Sequence, residues 1–116
     1  MLCSLFFASW MCFIGVTPII PAPEYHTEYA RVTCYGPTGY NMANTKKPEH
    51  GWVAVSDRTI PFNTVIEIDG VDYKVGDRTA KWVHTKFKYQ TIDIFMQTGC
   101  DMHYGSSVKL VKIYDK

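Results

Sequence analysis

The sequence predicts a small all-β barrel, and three observations carry that expectation. Six short runs rich in β-branched and aromatic residues recur between residues 28 and 116, most of them separated by turn signals. No long helical period and no internal repeat interrupts them. Lysines stud the last run, as on an exposed edge or a barrel exterior. Short strands in this number, with only short helical turns between them, fit a closed barrel of one domain.

The elements follow in order. "ARVTCY" reads as the first strand and leads into the loop "GPTGYNMANTKKPEHG", where Gly, Pro and Asn break any regular period. "WVAVS" is the second strand. "DRTIPFNT" makes a turn or a single helical turn, because Pro61 blocks anything longer. "VIEI" and "DYKV" form a hairpin across "DGV". "GDRTAKWVHTKFKYQ" reads as a long polar and aromatic loop before the strand "TIDIFM". "QTGCDMHYGSS" has room for one helical turn. "VKLVKIY" closes the chain as a strand, and a bulge between Leu110 and Val111 would bring its four apolar residues to one side.

Composition bounds the function. Hydrophobic residues make up 47% and aromatics 15%, enough for a packed core in 116 residues. The net charge of +1 argues against nucleic-acid binding, which needs a strong basic excess. A monomer is the default expectation. The charges are unevenly placed: none of the twelve basic and eleven acidic residues precedes Glu24. Residues 1–23 therefore form a separate unit. Its apolar part, 2–20, reads as an export signal or membrane anchor, and a Pro-rich spacer follows. The folded domain, 24–116, is then expected in the cell envelope or outside the cell. In that setting Cys34 and Cys100 are either a disulfide closing a loop of roughly 65 residues or two separate buried thiols.

Three aspartates stand within strands or at their ends. Asp57 follows "WVAVS", Asp77 follows "YKVG", and Asp93 lies inside "TIDIF". Aspartate is depleted from strands, and a carboxylate near a core shifts its pKa or finds partners. Carboxylates converging on one barrel rim push their pKa values apart, so that one serves as proton donor while another stays ionised; glycosidic cleavage needs that pattern. The plainer readings are specific too. Asp57 would cap its turn, Asp77 would hold loop N–H groups, and Asp93 would pair with Arg58, Arg78 or Lys81. Trp52, Trp82, Tyr35, Tyr40 and Tyr89 are candidate platforms for sugar rings, or simply packing. The four histidines show no metal-ligand spacing, so no metal is expected.

The motif order "VTCYGPTG … GWVAVSDRTIPFNTVIEIDG … YKVGDRTA … TIDIFM … YGSSVKLVKIY" resembles the 3D domain, named for three aspartates, over roughly residues 28–116. That domain occurs in bacterial cell-wall enzymes related to membrane-bound lytic transglycosylase A and in small spore-former proteins. The resemblance implies a six-stranded double-psi β-barrel. It also implies cleavage of peptidoglycan between N-acetylmuramic acid and N-acetylglucosamine without water or cofactor, the C6 hydroxyl of the muramyl sugar attacking to give a 1,6-anhydro product. It makes Asp93 the general acid and then base, and Asp77 the carboxylate holding the acid and the sugar. The third family position falls on Ser56 by counting back from Ile60-Pro61, or on Asp57 if a bulge intervenes. Arg31 is the matching basic residue on the first strand, a substrate contact. The family's Gly-Gly loop is replaced by the longer "RTAKWVHTKFKYQ", and its "T-A-x-G" element by "NMANTKKP". The implied source is a bacterium or a phage attacking one. Two other classes use the same barrel: a wall glycan-binding module without catalysis, and a structural part of a virion or envelope.

Overall fold

A computed structural model describes residues 23–115. The apolar stretch 2–20 lies outside the described residues, among which no helix is long and apolar enough to cross a membrane. The described chain forms β1 (Tyr25–Tyr35), β2 (Trp52–Val55), β3 (Val65–Ile68), β4 (Val71–Arg78), α1 (Lys81–Lys86), β5 (Thr91–Phe95) and β6 (Ser107–Tyr114). The six strands close into a mixed barrel in the order β1-β5-β2-β4-β3-β6. β1/β5 and β2/β4 are parallel pairs and the other neighbours are antiparallel.

Side-chain alternation fills the barrel. Ala30 and Val32, Val53 and Val55, Ile66 and Ile68, Ile92 and Ile94, and Val111 and Ile113 point inward and pack with Val75 as one core. Every second residue therefore faces outward, including Arg31, Thr33 and Tyr35 on β1 and Thr91, Asp93 and Phe95 on β5. The β3–β4 hairpin turns on Asp69 (φ 52°) and Gly70 (φ 80°), both left-handed. Two such residues are what a primed two-residue turn requires, and an Asp-Gly pair supplies them at low cost. Cys34 and Cys100 are joined as a disulfide, Cα atoms 5.8 Å apart, tying the end of β1 to the loop before β6.

Several local expectations are corrected. β1 begins at Tyr25, five residues ahead of "ARVTCY", because Tyr25 to Val32 pairs without interruption with Tyr114 to Ser107 of β6. That unbroken register leaves no bulge at Leu110–Val111. Val108 and Leu110 stay on the outer face, more than half exposed (52% and 55%), while Val111 and Ile113 enter the core. β4 runs on to Arg78, and the long loop after it contains α1. Residues 97–106 hold turns and no helix, and Ser107 already opens β6.

The irregularity in the barrel falls instead between β2 and β4. Val53 pairs with Val75, but the next pair is Ala54 with Asp77, so Gly76 is an extra residue in β4. Val75 points into the core; without the extra residue Asp77 would follow it there. The bulge turns Asp77 outward beside Ala54. Trp52 packs directly over Gly76, where an added Cβ would lie 2.5 Å from the indole Cε3.

Candidate functional site

The outer face of the β1-β5-β2-β4 wall carries a row of four paired residues: Thr33, Asp93, Ala54 and Asp77. The strand spacing of about 4.8 Å places the backbones of Asp93 and Asp77 roughly 10 Å apart, with the small Ala54 between them. The 36–51 loop folds over this row, and Asp77 fixes the loop in place. Its Oδ1 accepts from the Ala43 N–H at 2.9 Å and the Arg78 N–H at 2.8 Å, and its Oδ2 accepts from the Tyr35 hydroxyl at 3.3 Å. Asn44 N–H donates to the Gly76 carbonyl at 3.0 Å, so the bulge anchors the loop as well. Between loop and sheet lies an open cleft of about 160 Å³, lined among others by Tyr35, Tyr40, Ala54, Asp77, Arg78 and Asp93.

Of the three aspartates expected to share a groove, Asp77 and Asp93 line this cleft and Asp57 does not. Asp93 is half-buried in mid-strand and makes no ion pair with Arg58, Arg78 or Lys81; its Oδ1 accepts from the Thr33 hydroxyl at 2.8 Å. Burial pushes its pKa above the ordinary carboxylate value. The Thr33 bond and the charge of Arg31 oppose that shift, and the charge of Asp77 adds to it. Tyr35 is shifted upward by burial, then by the charges of Asp77 and Asp93, so it keeps its proton and donates it to Asp77. One carboxyl is thus held by three donors and the other is partly desolvated with one. That asymmetry suits a proton donor beside a fixed carboxylate.

The other sequence candidates lie elsewhere. Asp57 accepts from Thr59 N–H at 2.9 Å and Thr59 Oγ1 at 2.7 Å, a side-chain turn that opens the 57–60 segment. Burial raises its pKa, but the Thr59 bonds with the charges of His84 and Arg78 outweigh burial and leave it lowered. Asp57 lines a separate cavity of about 390 Å³ with His26, Glu28 and Asp115. Ser56 is 1% exposed. Its Oγ accepts from Thr91 N–H at 2.8 Å and meets His84 Nδ1 at 3.1 Å, so it joins β2, β5 and α1 and is closed to substrate.

Arg31 donates to Thr91 Oγ1 at 3.0 Å and stacks on the Phe87 ring at 3.7 Å; it acts on Asp93 by charge rather than by contact. Trp52 lines a third cavity, of about 450 Å³, with His50 and Tyr73. Trp82 projects from α1, outside the cleft lining. Among the described residues no group of three or more His, Cys, Asp or Glu side chains is placed to hold a metal ion.

Three contributors to the cleft escape a reading of the sequence. Thr33 becomes the partner of Asp93 only through the parallel β1/β5 register, which spans 60 residues of chain. Gly76 acts by being an extra residue. Arg78 lines the cleft, while its guanidinium stacks on Phe62 at 4.5 Å and gives Nη2 to the Ile60 carbonyl; its buried Nη1 has no partner among the described residues. Comparison with known proteins adds no relative: no family model, no curated protein and no solved structure matches this chain.

Proposed function

We propose that the protein is a peptidoglycan lytic transglycosylase of the cell envelope or exterior, built on a barrel of the double-psi type. The observation that carries this reading is the shared cleft of Asp93 and Asp77, with a desolvated carboxyl on one strand and a triply held carboxylate two strands away. The motif order of the sequence, with Asp93 and Asp77 at the positions of a proton donor and its helper, supports the same reading.

In this mechanism protonated Asp93 gives its proton to the glycosidic oxygen as the C1–O bond breaks. Positive charge developing on the muramyl ring faces the Asp77 carboxylate. The C6 hydroxyl of the same sugar then bonds to C1 and returns its proton to Asp93, so the donor is restored and no water is consumed. Ala54 leaves room for the ring between the two carboxyls. A cofactor has no part in these steps.

The test is incubation of the full chain with purified peptidoglycan and mass spectrometry of the soluble fragments, with Asp93→Asn alongside. Anhydro-muropeptides from the wild type, reduced by at least ~100-fold in the variant, are expected. Hydrated reducing ends would replace the intramolecular attack with hydrolysis. One observation favours a second reading, a glycan-binding module: Tyr40, 79% exposed at the cleft, offers a stacking face that needs no acid. Co-sedimentation of both proteins with peptidoglycan, without release, would select it.

A further inference from the structure

The face of the barrel formed by β1 and β6 is built unlike the rest. Its outward residues are Tyr25, Thr27, Tyr29 and Arg31 on β1, opposite Tyr114, Lys112, Leu110 and Val108 on β6, and none is acidic. Tyr29, Leu110 and Val108 are each more than half exposed. The 81–89 segment borders this face. Phe87 lies under Arg31, and the Tyr89 ring centre is 6.1 Å from that of Tyr29. Lys86 sits over both Trp82 and Phe87, at 5.2 and 5.5 Å, and Lys88 over Tyr89 at 5.3 Å. From Arg78 to Ile92 the chain carries four basic residues and no acidic one. α1 contributes no buried residue to the protein, and its Trp82 is 59% exposed. A helix that adds nothing to the core but displays an indole among lysines is a surface device.

We propose that this face, Trp82 and the lysines of 81–88 with Tyr29, Val108 and Leu110, docks on the headgroup region of an anionic lipid bilayer. Three features select a bilayer over a chain-like polyanion. The exposed Leu110 and Val108 gain nothing from a phosphate or sugar chain but gain burial in an acyl boundary. Tyr, Trp, Lys and Arg together are the side chains that sit at a membrane–water interface. The face is a broad outer barrel wall, and neither Tyr29, Val108 and Leu110 nor residues 81–89 line the cavities given above. The position fits as well. Residues 1–20, which carry no Lys, Arg, Asp or Glu, precede β1 in the sequence, and Tyr29 is four residues, about 13 Å, beyond the start of that strand. Along β1 the outward residues then run from Tyr29 and Arg31 at this face to Thr33 and Tyr35 at the cleft. Docking would therefore hold the cleft close to the bilayer, at a fixed height.

The experiment uses the full chain with Trp10→Phe and Trp52→Phe, which leaves Trp82 as its one tryptophan, folded by circular dichroism. Vesicles contain brominated phosphatidylglycerol or brominated phosphatidylcholine, whose bromines quench an indole seated among them. Quenching of Trp82 is expected with the anionic lipid and not with the zwitterionic one. Adding Lys86→Gln and Lys88→Gln should lower the affinity for this docked state by roughly 25-fold, at about fivefold per cationic side chain near an anionic surface. Protein that sediments with vesicles through its N-terminal stretch while Trp82 stays unquenched would overturn the proposal. Equal quenching by both lipids, or Trp82 shielded by a soluble polyphosphate but by neither vesicle, would overturn it too.

Discussion

Asp93 and Asp77 are register partners of one residue: Ala54 pairs with Asp93 across the antiparallel β2/β5 ladder and with Asp77 across the parallel β2/β4 ladder. The arrangement sets a desolvated carboxyl one strand from an alanine and two from a fixed carboxylate. Burial raises the pKa of Asp93, so the folded protein holds that proton more tightly than the unfolded chain does. Its ionisation therefore costs stability, and the cost grows as pH rises from the unfolded carboxylate value through the raised folded one. Asp93→Asn keeps an oxygen for the Thr33 hydroxyl and removes the charge. We expect the variant to be more stable than the wild type at pH 7.5, by roughly 0.5–2 kcal/mol. The gap should close as pH falls through the raised folded value, where the wild-type carboxyl takes up its proton. Thermal melts across that range check it, and a variant less stable at pH 7.5 would mean that Asp93 is a structural anchor.

Gly76→Ala tests the bulge. Gly76 is outside the left-handed region, so backbone strain is not at issue; its added methyl would meet the Trp52 ring at 2.5 Å and the Asn44 amide at 2.9 Å. The ring or the bulge must move. The expected loss is roughly 1–3 kcal/mol, with Asp77 displaced from the cleft. Adding Trp52→Leu should recover part of the loss, and denaturant titrations of the two single variants and the double variant measure that coupling.

Most of the barrel was legible in the sequence because its strands alternate by the rule of two, and the β3–β4 hairpin because Asp69-Gly70 declares its turn. The first half of β1 was not legible. In "YHTEY" the inward positions are His26 and Glu28, so no apolar alternation marks the strand, and only pairing with β6 reveals it. The bulge was expected at Leu110–Val111 to hide apolar residues that the structure leaves on the surface. The real bulge occurs at Gly76, where steric room under Trp52 decides. Asp93 stood out because a carboxylate in mid-strand has few plain explanations. Thr33, its partner, had no local signal, since a hydroxyl 60 residues away becomes a neighbour only through topology. Ser56 and Asp57 are adjacent in the chain, yet one is closed inside the barrel wall and the other holds a surface turn.

The Cys34–Cys100 bond spans 66 residues and ties β1 to a loop of turns with little packing of its own. In the chain-entropy account a loop of that length is worth about 4 kcal/mol. The Cys34→Ser/Cys100→Ser variant should lose 2–5 kcal/mol in urea unfolding, and hydrogen exchange should quicken first in residues 97–106. An unchanged midpoint would show that the bond is dispensable to the barrel.

His26 provides the last prediction. Its Nε2 lies 3.2 Å from Glu28 and its Nδ1 3.1 Å from Asp115, so the imidazolium bridges the start of β1 to the chain's far end. The Glu28 bond raises its pKa; burial opposes, and the bond and charge of Asp115 with the charge of Glu28 complete the upward shift. With the folded value above the unfolded one of 6.5, the stabilisation is complete below 6.5 and fades as pH rises through the folded value. The ring is half exposed, so solvent and salt screen the pair and the effect is small. His26→Gln should therefore melt about 1–2 °C below the wild type at pH 6 and level with it at pH 9, with the difference at pH 6 shrinking in 0.5 M NaCl. A gap that is independent of pH would assign His26 a packing role in place of the charge bridge.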